Sequence, residues 1–190
     1  MKQAEIIKHL SNKQLKQQVW LSQLLMIIIA IILSIIFFDN WNVFLSLFQL
    51  TLSDFLIFGV GSAVVIVFLD ILMMRVFPKN WWDDGGINQK LFQEGSYFEI
   101  ILLCVVVAIS EEWLFRGVIQ TNFGIMIASS IFAIIHVRYL SKLLLFTAVV
   151  ALSFWLGLVY HWTNSLPVVI MLHFLINVTL AIMIRTGGNS

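Results

Sequence analysis

The chain has 190 residues, of which 61% are hydrophobic and 11% are charged. Soluble domains carry about 25% charged residues, so this composition excludes that class and indicates an integral membrane protein surrounded by a lipid bilayer. A net charge of +1 without a basic cluster gives no reason to expect nucleic acid as a partner. The single cysteine, Cys104, excludes a disulfide framework within the chain.

Six segments are apolar enough to be membrane-spanning helices, although the fourth is short. They are residues 20–38, 55–77, 97–121, 124–139, 142–161 and 166–185. Residues 1–18 are polar and basic, and we interpret them as a cytoplasmic tail rather than a cleaved signal peptide. No long polar segment separates the spans. The sequence therefore predicts an all-α, polytopic helical bundle that forms a single membrane domain over residues 1–190.

The positions of the basic residues predict that both termini are cytoplasmic. Cytoplasmic segments of membrane proteins retain Lys and Arg. With the N-terminus inside, every basic residue except Arg116 falls on the inner side of a six-span topology, and none falls outside. The residues concerned are Lys2, Lys8, Lys13, Lys16, Arg75, Lys79, Lys90, Arg138, Lys142 and Arg185. We therefore expect a multi-pass protein of the cell membrane.

The third predicted helix contains the segment EEWLFRG at residues 111–117. Each unpaired charge at a bilayer centre costs roughly 2.5 to 3.5 kcal/mol on insertion scales, so these charges need partners or a function. Glu112 and Arg116 are four residues apart and lie on one helix face, which predicts a supporting ion pair. Glu111 points about 100° away from Glu112 and needs partners from other helices.

Three further polar residues lie in the last two motif-bearing helices, at His136, His173 and Asn177. If the third and fourth helices form a hairpin that turns near residue 122, His136 lies opposite residues 109–110. Measured from the outer surface, Glu111 lies roughly 15 Å deep, His173 roughly 10 Å and Asn177 roughly 16 Å. These four residues are therefore expected to converge near mid-membrane. A carboxylate, two imidazoles and an amide can activate water and stabilise an oxyanion, which is hydrolytic chemistry.

At these residues the chain resembles the CPBP family, which comprises CAAX-processing endoproteases and bacterial Abi or bacteriocin-immunity proteins and is also called the glutamate intramembrane proteases. Three motifs of the family occur in order, each on its own apolar helix. They are EExxxR at 111–116, FxxxH at 132–136 and HxxxN at 173–177. The resemblance implies a four-helix catalytic core at residues 97–185, whereas the two N-terminal helices at 20–77 carry no motif. The short chain looks like the bacterial branch, so we expect a bacterial plasma membrane.

The resemblance also implies the function and the roles of the site residues. It implies an intramembrane endopeptidase, a hydrolase, whose substrate is a membrane-embedded or membrane-tethered peptide or protein. Glu111 and His136 would activate the water, and His173 with Asn177 would form the oxyanion hole. We expect no cofactor.

Three alternatives to this interpretation remain open at the level of the sequence. One is a zinc-dependent variant in which Glu111, His136 and His173 hold the metal, although the chain has no HExxH pair. Another is a non-catalytic bacteriocin-immunity or scaffold protein in which the polar residues serve the structure. The last is a small transporter, which lacks support from any internal repeat.

Overall fold

The computed structural model describes residues 10–136, 139 and 142–187, and every regular element in this part of the chain is helical. The principal helices are α1 (Asn12–Phe37), α2 (Trp41–Ser46), α3 (Leu52–Val76), α4 (Lys79–Trp82), α5 (Ile87–Phe92), α6 (97–123), α7 (Ile125–Ile135), α8 (Leu143–Thr163) and α9 (Leu166–Arg185). The predicted all-α membrane bundle is confirmed.

The first helix begins earlier than the sequence pattern predicts. Ser11 and Gln14 form a capping box in which each side chain accepts a hydrogen bond from the other residue's backbone N–H. This cap starts α1 at Asn12, so residues 12–18 of the expected tail are helical and continuous with the first predicted span. Residues 1–9 of the predicted tail lie outside the described residues.

Four of the described helices are long and apolar enough to cross a bilayer, namely α1, α3, α8 and α9. Helix α6 adds a continuous run of 16, 8 and 3 helical residues that contains the charged motif. Helix α7 has only 11 residues, which corresponds to about 16 Å of the roughly 30 Å hydrocarbon core. Helix α7 thus ends at Ile135, before the end of the predicted span 124–139.

Contacts between loops and helix ends show which helix ends lie on the same side of the bundle. On one side, Lys16 at the start of α1 donates a hydrogen bond to the carbonyl of Glu94, just before α6. On the other side, the N–H of Leu166 at the start of α9 donates to the carbonyl of Leu47, just after α2. The starts of α1 and α6 thus lie on one side of the bundle and the start of α9 on the other, as the alternating direction of the predicted spans requires. The cytoplasmic location of the two termini stays a prediction.

Helix α9 lies at the centre of the bundle and packs against α3, α6 and α8. Its residues Leu166, Val168, Val169 and Leu172 are fully buried in the main apolar core. Helices α1 and α3, in contrast, expose most of their leucines and isoleucines. Helix α9, which carries the third motif, therefore lies inside, and the two motif-free helices line a side that faces lipid.

The contact between α8 and the end of α6 depends on Gly157. Its carbonyl accepts a hydrogen bond from Gln120, and a Cβ at this position would lie 2.7 Å from Cγ1 of Ile125. We expect Gly157→Ala to destabilise the protein by about 1–3 kcal/mol because α7 and α8 must separate. Thermal unfolding in detergent measures the effect. Gly61→Ala is the matched control, since its Cβ would meet no atom closer than 3.4 Å, and equal unfolding temperatures for both variants would contradict the prediction.

Candidate active site

The acidic motif lies where the backbone of α6 changes its hydrogen-bonding pattern. The segment Tyr97–Glu112 is an α-helix, and Trp113–Gln120 is a π-helix. π segments are rare and occur frequently at functional sites. The hydroxyl of Thr121 donates a hydrogen bond to the carbonyl of Arg116 and so helps to satisfy this backbone. The two glutamates therefore occupy the last α-helical positions before the irregular segment.

Glu112 is fully buried and contacts a partner with each carboxylate oxygen. Its Oε2 lies 3.3 Å from Nε of Arg116, which is the ion pair that the sequence predicts. Its Oε1 accepts a 2.7 Å hydrogen bond from Nδ1 of His173 on α9. Glu112 therefore does more than neutralise Arg116, because it also holds an imidazole in place.

Arg116 is fully buried as well, and its guanidinium group binds α8. Its Nη2 donates to the carbonyl of Ser153 at 2.7 Å and contacts the hydroxyl of the same residue at 3.1 Å. Ser129 on α7 also donates to the Ser153 carbonyl. The guanidinium group of Arg116 thus contacts both the Glu112 carboxylate and the Ser153 carbonyl. Together with Ser129, Arg116 links α6, α7 and α8.

The sequence analysis did not identify Ser129 and Ser153. Both are buried serines within apolar helices, and such residues often form hydrogen bonds between membrane helices. That pattern is the signal from which they could have been found.

Glu111 is almost buried and differs from Glu112 in its contacts. Its Oε2 lies 3.9 Å from Nε2 of His173, which is longer than a hydrogen bond. Within the described part of the chain its carboxylate makes no hydrogen bond. Glu111 is therefore the carboxylate of the pair that is free to bind a water or a substrate group.

His136 ends helix α7. Its Nδ1 lies 2.8 Å from the carbonyl oxygen of Phe132, and since a carbonyl can only accept, Nδ1 carries the proton. The imidazole thus satisfies a carbonyl in the last turn of the helix, and its backbone leaves the helical region at φ −87° and ψ 29°. In the neutral ring Nε2 is then an acceptor, which suits it to take a hydrogen bond from water.

Phe132 lies between the charged residues and the two histidines. Its ring stacks on His136 at 4.6 Å between centroids and meets His173 edge-on at 6.4 Å. The guanidinium carbon of Arg116 lies 4.8 Å from the centroid of the same ring. The sequence suggests only packing for Phe132, but the structure makes it the residue that brings the motifs of α6, α7 and α9 together.

Asn177 is a predicted site residue that no hydrogen bond joins to the others among the described residues. It lies one turn after His173 on α9 and is half-buried. Its side chain makes no hydrogen bond to any described residue. An amide without such bonds remains able to donate to a ligand.

Replacement of Phe132 tests this central position. We expect Phe132→Leu to keep the fold, because the side chain stays apolar and buried. We expect it to lower the rate of the hydrolysis that the sequence predicts about 10-fold, because the His136 ring becomes more mobile. Phe115→Leu is the matched control, since that phenylalanine contacts the ring of Phe132 but neither histidine. Steady-state cleavage by the two purified variants measures the difference, and equal turnover numbers would contradict the prediction.

The residues of the zinc alternative do not come together as a ligand set. Across residues 10–136, 139 and 142–187, no group of three His, Cys, Asp or Glu side chains is close enough to hold a metal ion. Glu111 and His173 approach each other, but Nδ1 of His173 is already bound to Glu112.

The fold and the site together define a multi-pass membrane protein whose interior holds two carboxylates, a guanidinium group and two imidazoles. A family model described as "Type II CAAX prenyl endopeptidase Rce1-like" matches residues 93–179, which include all three motifs. The uncharacterized protein YpbD of Bacillus subtilis is 44% identical over 165 residues, which is 87% of each chain. No solved structure matches the chain significantly.

The chain belongs to the Rce1-like family of type II CAAX prenyl endopeptidases. The family predicted from the three motifs is therefore confirmed. The multi-pass membrane location is confirmed too, and a bacterial origin fits the relative from Bacillus subtilis.

Proposed function

We propose that the protein is an intramembrane endopeptidase that hydrolyses a peptide bond of a membrane-embedded or membrane-tethered peptide or protein. One observation carries the proposal. Glu112 is engaged on both oxygens, whereas Glu111 is unbonded and faces an imidazole that Glu112 holds. A free carboxylate next to an oriented imidazole, with both side chains buried, is suited to acid-base catalysis.

Glu111 and His136 activate the nucleophilic water in this proposal. Nε2 of His136 accepts a hydrogen bond from the water, and Glu111 removes its proton. The oxygen of the water then forms a bond to the carbonyl carbon of the substrate. When the C–N bond breaks, Glu111 returns the proton to the leaving amine. The step needs no cofactor.

His173 and Asn177 stabilise the oxyanion that forms on the carbonyl oxygen. Nδ1 of His173 already donates to Glu112, so donation to the oxyanion requires a second proton, on Nε2. Glu112 and Glu111 would balance the charge of that imidazolium. The amide of Asn177, one helical turn further, supplies the second donor.

Purified protein in proteoliposomes tests the proposal with a panel of membrane-tethered peptides. The panel includes a farnesylated CAAX peptide, because of the family, and acylated or transmembrane peptides without that motif. The proposal expects cleavage at an internal peptide bond of at least one peptide, seen by mass spectrometry as two fragments. No cleavage of any peptide by well-folded protein would contradict it.

Treatment with a chelator distinguishes the zinc-dependent mechanism from the proposed one. The proposed mechanism expects full activity after prolonged incubation with a strong chelator and its removal. Loss of activity that only zinc restores would favour the alternative set of Glu111, His136 and His173. The non-catalytic immunity or scaffold alternative predicts instead that Glu111→Gln retains the biological effect of the wild type.

A further inference from the structure

Helix α1 carries no family motif, yet its few buried residues form a polar and small stripe. Most of its leucines and isoleucines are exposed, and beyond Leu15 the buried positions are Gln23, Ala30 and Ser34. The spacing of seven and four residues places these three on one helix face. A lipid-facing helix that needed only apolar packing would not bury a glutamine and a serine.

The two polar residues of this stripe bind the acidic motif helix directly. Oε1 of Gln23 accepts a 2.5 Å hydrogen bond from the hydroxyl of Ser110. The hydroxyl of Ser34 accepts a 3.1 Å hydrogen bond from the indole Nε1 of Trp113. Ser110 comes directly before the two glutamates and Trp113 directly after them. Helix α1 therefore contacts α6 on both sides of Glu111 and Glu112.

These contacts lie where the position of α6 is least fixed by regular backbone geometry. Trp113 is the first residue of the π segment, and Ser110 lies in the last α-helical turn. Glu111 itself makes no hydrogen bond to the described residues that would hold it. Its place relative to His173 therefore depends on how its helix is rotated and how deep it lies. Buried hydrogen bonds from a neighbouring helix fix both quantities, because each bond has a short distance and a preferred direction.

We infer that Gln23 and Ser34 are positioning residues, which set the rotation and depth of Glu111 and Glu112 from a helix outside the catalytic core. The inference rests on the proposed function for its catalytic consequence. A displacement of a reacting group by about 1 Å can lower a rate by about 100-fold. Since two bonds share this task, loss of either one lowers the turnover number about 10-fold and leaves KM within about twofold.

Double-mutant cycles test the two bonds separately. The first combines Gln23→Leu with Ser110→Ala, and the second combines Ser34→Ala with Trp113→Phe. If each pair acts through its bond, the double variant is no slower than the slower single variant. Gln18→Leu is the matched control, because it makes the same change at an exposed position of α1, and it keeps the wild-type turnover number. Independent, multiplying effects within a pair would overturn the inference.

Hydrogen exchange of the backbone provides a readout that does not need activity. Gln23→Leu is expected to speed exchange in the peptide that covers residues 108–116, whereas Gln18→Leu leaves it unchanged. If wild-type protein cleaves no peptide, the proposed function fails, and the exchange result alone decides whether α1 positions the motif. If neither exchange nor the turnover number changes in Gln23→Leu, the positioning role is wrong.

Discussion

Glu111→Gln is expected to lower the rate of peptide cleavage by about 100-fold to about 10,000-fold without unfolding the protein. The amide keeps the size of the side chain but cannot take a proton from water, and general bases contribute about 10²–10⁴-fold to a rate. The fold survives because the Glu111 carboxylate makes no hydrogen bond to the described residues and lies 3.9 Å from His173. Cleavage rates and thermal unfolding of the same purified sample measure both effects.

Glu94→Gln is the control for the loss of a carboxylate as such. Glu94 lies exposed before α6, and only its backbone carbonyl takes part in a contact, with Lys16. Full activity of Glu94→Gln together with the inactive Glu111→Gln supports the assignment. A Glu111→Gln protein that still cleaves at the wild-type rate would contradict it.

Glu112→Ala is expected to act on stability instead. The change leaves the guanidinium group of Arg116 buried without a charged partner and removes the bond to His173. Breaking a buried ion pair from one side costs about 3–5 kcal/mol, so the free energy of unfolding should fall by that amount. Unfolding titrations in mixed micelles, and the amount of protein recovered from membranes, measure the loss.

A second substitution separates this explanation from a general packing defect. The double variant Glu112→Ala with Arg116→Leu carries neither charge, so most of the lost stability should return. The double variant should remain a poor enzyme, since His173 has lost the carboxylate that orients it. A double variant less stable than Glu112→Ala would show that the charge on Arg116 is not the cause.

The sequence predicts the helical bundle and the convergence of the three motifs because both depend on simple distances. Apolar runs of about 20 residues specify membrane helices, and a four-residue step places two side chains on one face. The estimate of depth places His173 within roughly 5 Å of Glu111, and in the structure His173 contacts both glutamates.

Spacing alone does not decide which glutamate binds His173. Glu111 and Glu112 differ by about 100° around the helix, and the contact depends on how α6 is rotated, which its neighbours determine. The π segment that follows Glu112 has no signature in its sequence, WLFRGVIQ. The structure therefore adds a contact that the spacing does not predict, because Glu112 has the shorter contact with His173.

The end of α7 is the other feature that the pattern of residues conceals. Residues 124–139 are apolar enough to continue as a helix, but the imidazole of His136 binds the carbonyl of Phe132 and ends it at Ile135. A side-chain cap of this kind depends on one rotamer and not on composition. The short helix nevertheless brings His136 onto the ring of Phe132, which also contacts His173 and Arg116.

The most direct test of the account compares protein termini in bacterial membranes that contain either the wild-type protein or Glu111→Gln at matched levels. Mass spectrometry of new amino and carboxyl termini identifies each cleaved peptide bond and the membrane protein that contains it. The account predicts at least one internal cleavage that appears with the wild-type protein and is absent with Glu111→Gln. Identical sets of termini in the two membranes would contradict the claim that this protein is an endopeptidase that depends on Glu111.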